Sequence, residues 1–287
     1  MEPIFDRQLT RARKLRALRA RVEGADFLIQ RAAEDLAERL STVERHFARA
    51  AAINCLTDAA AAVLSRSGKA GGIVRIEGEA ELLGGGGSVM QGDRIPLEPE
   101  SIDLAVSLLT LHEANDLPGQ LIQIRRALRP DGLFLGALAG GGTLAELRES
   151  LLAAETELAG GAAPRVSPFT DVRDAGALLQ RAGFALPVAD VESVVVRYAS
   201  MFHLMADLRA MGATNALSAR SRKPASRALF ARAAAIYAER FSDADGRVRA
   251  TFSLLWLSGW APHASQQKPL KPGSATVSLK TVLGAGD

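Results

Sequence analysis

One strand–helix–strand unit, residues 102–138, constrains this chain more than any other stretch. The apolar run at residues 102–108 follows Glu100-Ser101 and is too short for an isolated helix, so it reads as a buried strand. A helix comes next. Asp116 is placed to cap it, Pro118 sits where a missing N–H costs nothing, and Leu121, Ile124 and Leu128 recur at spacings of three and four. Pro130-Asp131-Gly132 then stops the helix, and residues 133–138 form a second apolar run. Two strands joined this way in one sheet run parallel with a right-handed crossover, which predicts an α/β fold on an open sheet.

With 287 residues, 48% of them apolar, the chain can bury a full core, and one α/β domain with an insertion fits that length. No apolar run is long enough to span a bilayer, and Met1-Glu2 opens a charged segment unlike a secretory signal. The lone Cys55 excludes an internal disulfide and a zinc site built on several thiolates, which fits a reducing compartment. These features predict a cytoplasmic protein, peripheral to the inner membrane if its basic arm binds lipid. That arm is Arg7, Arg11, Arg13, Lys14, Arg16, Arg19 and Arg21, with no acid between Asp6 and Glu23. It suits anionic lipid or an acidic protein surface, or is simply a solvated helix face. Only Phe5 is aromatic nearby, so stacking on single-stranded nucleic acid is unsupported. Four histidines without His-x-x-x-His spacing give no metal site.

In order, residues 1–47 read as a helical preface, with helices over 4–22 and 26–47. The core, 48–199, opens with a strand at 50–55, with Thr57 capping a helix through Leu64. The connecting turn, Asn54-Cys55-Leu56-Thr57-Asp58, has no glycine. A second strand at 72–76 ends beside Glu77; Gly84-Gly85-Gly86-Gly87 is a loop, because no Lys-Ser/Thr follows it; Asp93 comes after a short strand at 88–90. Gly140-Gly141-Gly142-Thr143 opens a helix carrying Leu144, Leu147, Leu151, Ala154 and Leu158. Its glycines let the chain bend over the carboxyl ends of the central strands, where open α/β sheets bind ligands, bringing Thr143, Glu146 and Arg148 to the crevice. Spacing alone also allows Glu146 and Arg148 to be helix-surface charge. Asp171 caps a helix to Ala182 ended by Gly183, and 184–198 is a strand region broken near Asp190. A helical insertion spans 200–246, with one stripe of Met201, Leu204, Met205, Leu208 and Met211 and another of Phe230, Ala234, Tyr237 and Phe241. The last core strand, 247–258, alternates Val248, Ala250, Phe252, Leu254 and Trp256 with Arg249, Thr251 and Ser253, and 259–287 is a polar tail.

Leu128-Arg129-Pro130-Asp131-Gly132 resembles the turn before strand five of the class I S-adenosylmethionine-dependent methyltransferases. The resemblance implies a Rossmann-like sheet with an antiparallel last strand, and S-adenosylmethionine as cofactor. It places Asn54 at the cofactor turn, Glu77 on the ribose hydroxyls, Asp93 near the adenine amino group and Ser107 at the end of strand four. The family's turn is Asp-Leu-Gly-Cys-Gly-Arg-Gly. In Asn54 to Asp58, side chains project where the ligand would lie and Asp58 would repel its carboxylate, so weak cofactor binding or none is expected.

Further stretches resemble one branch of that superfamily, the methyltransferase-like assembly factor of respiratory complex I, linked to arginine hydroxylation. They include Phe5-Asp6-Arg7, Leu111-His112 with Asn115-Asp116, and Gly141-Gly142-Thr143-Leu144-Ala145-Glu146-Leu147-Arg148. Ser167-Pro168-Phe169, Gly259-Trp260 and Gly273-Ser274-Ala275-Thr276-Val277-Ser278 continue it. The resemblance implies a complex I subunit as partner and an arginine as target; the alternatives are carboxyl methylation of a small molecule or carrier protein, and non-catalytic binding. His112 is the candidate general base or substrate contact, with a structural strand-end histidine as the other reading; Thr143 and Arg148 complete the candidate set.

Overall fold

The computed structural model describes residues 2–267. Within them, seven strands form one sheet in the order β3-β2-β1-β4-β5-β7-β6. These are β1 (Phe47–Ile53), β2 (Ala70–Glu77), β3 (Ser88–Val89), β4 (Ile102–Leu108), β5 (Leu128–Ala139), β6 (Ala185–Tyr198) and β7 (Val248–Trp260). The pairs from β3 through β5 are parallel, and β7 lies antiparallel between β5 and β6. The strand–helix–strand unit is β4, α5 (Leu117–Ala127) and β5. Asp116 caps α5 by accepting from Gly119 N at 2.8 Å. β5 begins earlier than the second apolar run: Leu128 already pairs with Ile102, and the register shifts between Ile102 and Leu104 while Asp131 takes a φ of +65°. Pro130-Asp131-Gly132 is therefore a bulge inside a strand.

Helices α2 (Phe27–Ser41) and α3 (Ala59–Arg66) cover one face of the sheet, burying Leu36, Leu40 and Leu64 against Leu104, Val106 and Trp256. α5 and α7 (Val172–Arg181) cover the other, burying Leu121, Ile124 and Leu179 against Phe134 and Leu257. A third apolar cluster joins α6 (Ala145–Ala159), α8 (Met201–Ala210) and α9 (Arg227–Phe241) to the first half of β7. α1 (Arg7–Ala20) buries only Leu15, and α4 (Ala80–Leu83) is a single turn.

Several sequence expectations shift. β1 runs over 47–53 rather than 50–55, because Asn54 adopts a φ of +50° and ends the extended run. Thr57 is not the cap residue of α3, although its Oγ1 accepts from Ala59 N at 3.3 Å; Asp58 stands at the cap. β6 is continuous through Asp190, with its irregularity between Ala185 and Val188. In α6, Leu158 is exposed, while Ser150 is buried. In α9 the buried stripe is Leu229, Ala233, Ile236 and Tyr237, one residue from the Phe230 and Ala234 expected. The alternation of β7 holds only in its first half, where it pairs with β6 alone; from Leu254 onward it lies between two strands and is buried on both faces. It also runs on through Trp260, so Gly259 and Trp260 belong to the sheet and not to a tail. Ala261 then locks onto the bulge, accepting from Asp131 N and donating to Gly132 O. The stretch from Gly273 to Ser278 lies outside the described residues.

Candidate functional site

The turn from β1 into α3 reverses without glycine because Asn54 and Leu56 both take left-handed backbone angles, φ +50° and +62°, each at a cost of about 1 kcal/mol for an L-residue. The reversal aims two successive N–H groups at the end of β2. Cys55 N and Leu56 N donate to the two oxygens of the Glu77 carboxylate at 3.1 and 3.2 Å. Arg75 Nη2 stands 3.4 Å from the same carboxylate and donates to Leu82 O. Glu77 is fully buried, and that burial, outweighing the bonds and the guanidinium, pushes its pKa up to about 7. The neighbouring Cys55 thiol is also fully buried; burial first and Glu77 second push its pKa up, so it is an unreactive core group.

The other expected cofactor positions are likewise engaged. Asn54 O accepts from Thr110 Oγ1 at 2.5 Å, and Asn54 N donates to Ile76 O. Asp93 forms an ion pair with Arg7 of α1. Ser107 is buried within β4, its Oγ 3.5 Å from Thr110 Oγ1.

Above the carboxyl ends of the central strands lies a cavity of about 430 Å³. Leu56, Leu109 and His112 form its sheet side, Phe169 one wall, and α1 with the turn after it the roof. His112 and Thr143 both line it, so the structure brings these two expected residues together. His112 sits on the short 3-10 turn Leu111–Glu113, its ring tilted against Phe169 at 5.8 Å. Its Nδ1 accepts from Ala139 N at 3.2 Å. Burial lowers its pKa to about 4, so near neutral pH the ring is uncharged. With Nδ1 accepting from Ala139 N, a neutral ring carries its hydrogen on Nε2, so in this arrangement His112 offers a donor, which serves the substrate contact among the roles expected of it rather than the general base.

Thr143 is committed as well. Its Oγ1 donates to Ser253 O at 3.2 Å and accepts from Ser253 N at 3.1 Å, extending the β5 edge along β7. The glycines allow this approach: a Cβ on Gly142 would fall 2.5 Å from Ser253 Oγ. Arg148 donates to Ser167 O at 3.1 Å and anchors the loop before α7, and Glu146 accepts from Thr251 N at 3.1 Å. Neither is among the residues lining the cavity.

The basic arm finds its acids within the chain. Arg11 pairs with Glu79 at 2.6 Å, Lys14 with Glu113 at 3.0 Å and Arg19 with Glu81 at 2.7 Å, while Arg13 donates to Thr214 O. Residues 7, 11 and 14 share one helix face, which is how Asp93, Glu79 and Glu113 are met by a single helix, with Arg19 reaching Glu81 a turn further on. Asn115 fixes the start of α1, accepting from Phe5 N at 2.8 Å and donating to Phe5 O at 3.0 Å. Among the cavity residues, sequence reading did not single out Glu113, and it placed Lys14 in the basic arm, Leu56 in the glycine-free turn and Phe169 in a matching stretch rather than at a site. The spacing of Arg7, Arg11 and Lys14 was the available signal for α1, but which acids they meet depends on tertiary contact. No group of three His, Cys, Asp or Glu side chains suited to a metal occurs among the described residues.

The parallel sheet with β7 antiparallel between β5 and β6, and a crevice at the carboxyl ends, define the class I methyltransferase fold. A family described as "Methyltransferase domain" matches residues 44–136. A Bacillus halodurans crystal structure of a candidate methyltransferase superposes with a TM-score of 0.55 at 11% identity, covering 80% of this chain and 98% of that one. "Arginine-hydroxylase NDUFAF5, mitochondrial" from Homo sapiens is 40% identical over 96% of this chain and 82% of its own length. The Danio rerio protein of the same name is 46% identical over 67% of this chain, the matched stretch being 60% of that protein's length. The chain belongs to the family of these arginine hydroxylases. No helix of the described residues is long and apolar enough to cross a membrane.

Proposed function

We propose that this chain binds an arginine-bearing protein, a subunit of respiratory complex I, through the cavity above β4 and β5, and acts on it or holds it while the complex is assembled. The observation that carries the reading is the wall of that cavity, where Glu113 and Phe169 flank His112. A carboxylate and an aromatic ring suit a planar guanidinium, and the apolar remainder suits the methylene stem of arginine. The name shared by the human and zebrafish relatives, arginine hydroxylase, supports the same target. His112 would serve by donating from Nε2 and orienting the bound group. Thr143 and Arg148 would serve by fixing β7 and the loop carrying Phe169.

S-adenosylmethionine does not fit the residues as they stand. The carboxylate expected on the ribose is buried and bonded to the turn, the one expected near adenine is paired with Arg7, and Leu56 fills the place of a glycine. No step is therefore assigned to that cofactor. The test is mass spectrometry of complex I subunits from a deletion strain. Loss of an arginine modification or arrest of assembly is expected; a complex fully assembled and unaltered would refute the reading. The same loss restored by His112→Gln, whose amide can still donate at the place of Nε2, but not by a variant filling the cavity, such as Leu109→Trp, would assign the function to binding and orientation.

A further inference from the structure

The cavity already holds a cation. Lys14 Nζ of α1 stands 3.0 Å from Glu113 Oε1, and the two side chains are only 11% and 19% exposed. Both line the cavity. The other acids on the cavity lining are not equivalent: Glu23 is exposed on the turn after α1, and Asp26 accepts from Gln30 at 2.8 Å. Glu113 is thus the enclosed carboxylate beside His112 and Phe169, and what it binds here is an alkylammonium from the protein itself.

The helix that delivers Lys14 is weakly bound by apolar contact. α1 buries Leu15 alone, and Leu18, on the cavity side, stays 37% exposed. Its remaining ties are one bond from Arg13 to Thr214 O at 2.6 Å and the ion pairs of Arg7, Arg11 and Arg19, whose side chains are 55 to 65% exposed. Pairs that exposed hold little against water and salt. By contrast the chain on either side is secured, at Phe5 by Asn115 and from Phe27 onward by the core helix α2. Arg21 and Gly24, both in left-handed conformations, form the joint between the two helices. The arrangement is a strap fixed at both ends over a cavity, with a cation at its middle in the cavity's acid.

We propose that Glu113 is the residue that receives the guanidinium of the arginine-bearing substrate, and that Lys14 occupies it until the substrate displaces α1. The inference rests on the arginine reading and adds to it a specificity residue and a built-in competitor. A lysine suits the competitor's part, because its ammonium is a single compact charge, whereas arginine makes two parallel bonds to a carboxylate and stacks on an aromatic ring.

The test is calorimetric titration of the full chain with a nine-residue peptide centred on arginine, and with the same peptide carrying neutral citrulline. Lys14→Ala and Lys14→Gln should bind the arginine peptide about tenfold more tightly than the parent, since the competing pair is gone. Glu113→Gln should weaken it by about thirtyfold or more and abolish the preference over citrulline. Hydrogen exchange on the free Lys14→Gln chain should show faster exchange in residues 10–20 with the sheet unchanged, which separates release of the strap from general unfolding. If the parent prefers arginine and Glu113→Gln keeps that preference, the assignment of Glu113 is overturned while the arginine reading stands. If neither parent nor Lys14 variants distinguish arginine from citrulline, both are overturned together.

Discussion

Glu77, fully buried beneath the turn, and His112, half-buried on the cavity wall, are two ionisable groups whose effects on stability oppose each other across mildly acid pH. The Glu77 carboxyl, ordinarily near 4.5, is raised to about 7 by burial, so between these values the folded chain holds a proton that the unfolded chain has lost. Stability must therefore fall as pH rises through that window, by about 1.4 kcal/mol for each step of one in pH and about 3 kcal/mol in all. His112, ordinarily near 6.5, is lowered to about 4 by burial, so from 4 to 6.5 it is the unfolded chain that holds the extra proton. Its contribution rises with pH by about 3 kcal/mol and is fully present above 6.5. Between pH 4.5 and 6.5 the two slopes cancel in the parent. Glu77→Gln removes one of them, so its stability relative to the parent should climb by about 3 kcal/mol from pH 4.5 to 8, roughly 5 °C in Tm for a chain of this length. His112→Asn, whose Oδ1 can still accept from Ala139 N, should do the reverse, losing about 3 kcal/mol relative to the parent from pH 4 to 7. Urea denaturation followed by circular dichroism at half-unit pH steps measures both, and differences against the parent cancel the other titrating groups. A Glu77→Gln difference curve flat to within about 0.5 kcal/mol would refute the burial argument for that group.

Three further outcomes are expected. Gly87→Ala should cost about 2 kcal/mol or more in chemical denaturation, since φ is +152° there and a Cβ would fall 2.6 Å from Arg75 O; a loss below about 0.5 kcal/mol would show that the loop yields. Leu56→Gly relieves a left-handed leucine and clears the turn, and should tighten S-adenosylmethionine binding by about tenfold in a calorimetric titration; unchanged affinity would place the obstruction at Glu77 rather than at the side chain. Raising salt from 0.1 to 1 M shortens the screening length from about 10 to about 3 Å, so residues 10–20 should exchange amide hydrogens faster while β1, β4 and β5 do not; equal protection at both concentrations would mean that α1 is held by something other than its ion pairs.

The fold was readable because its evidence is local and repeated. The 102–108 run, the Asp116 cap and the apolar run at 133–138 each restrict a few residues, and together they require two parallel strands joined by a helix, although Pro130-Asp131-Gly132, expected as a turn, is a bulge inside the second strand. Boundaries drifted where a left-handed residue ended an element without announcing itself, as Asn54 does for β1. The site was less legible, since residue type tells what a side chain can bond to and not which partner reaches it first. Glu77, Asp93 and Thr143 have the expected types in the expected places, yet backbone N–H groups, Arg7 and the Ser253 backbone already occupy them. His112 lines the crevice, but which of its nitrogens is free depends on one bond from Ala139, a residue 27 positions away.

The turn and the acid beside it are interdependent. Two residues held in the left-handed region cost about 2 kcal/mol together, and the conformation persists because it presents Cys55 and Leu56 N–H to a buried carboxylate whose other contact is Arg75 Nη2 at 3.4 Å. Glu77 keeps lone pairs to spare on both oxygens, but it is fully buried beneath this turn, so a ribose diol can reach it only if the turn moves. It follows that Glu77→Gln, whose amide can accept from one N–H but not both, should loosen the turn ahead of the sheet. Exchange at Cys55 and Leu56 should accelerate while Val106 and Leu135 remain protected; if all four accelerate alike, the carboxylate is holding the core and not the turn.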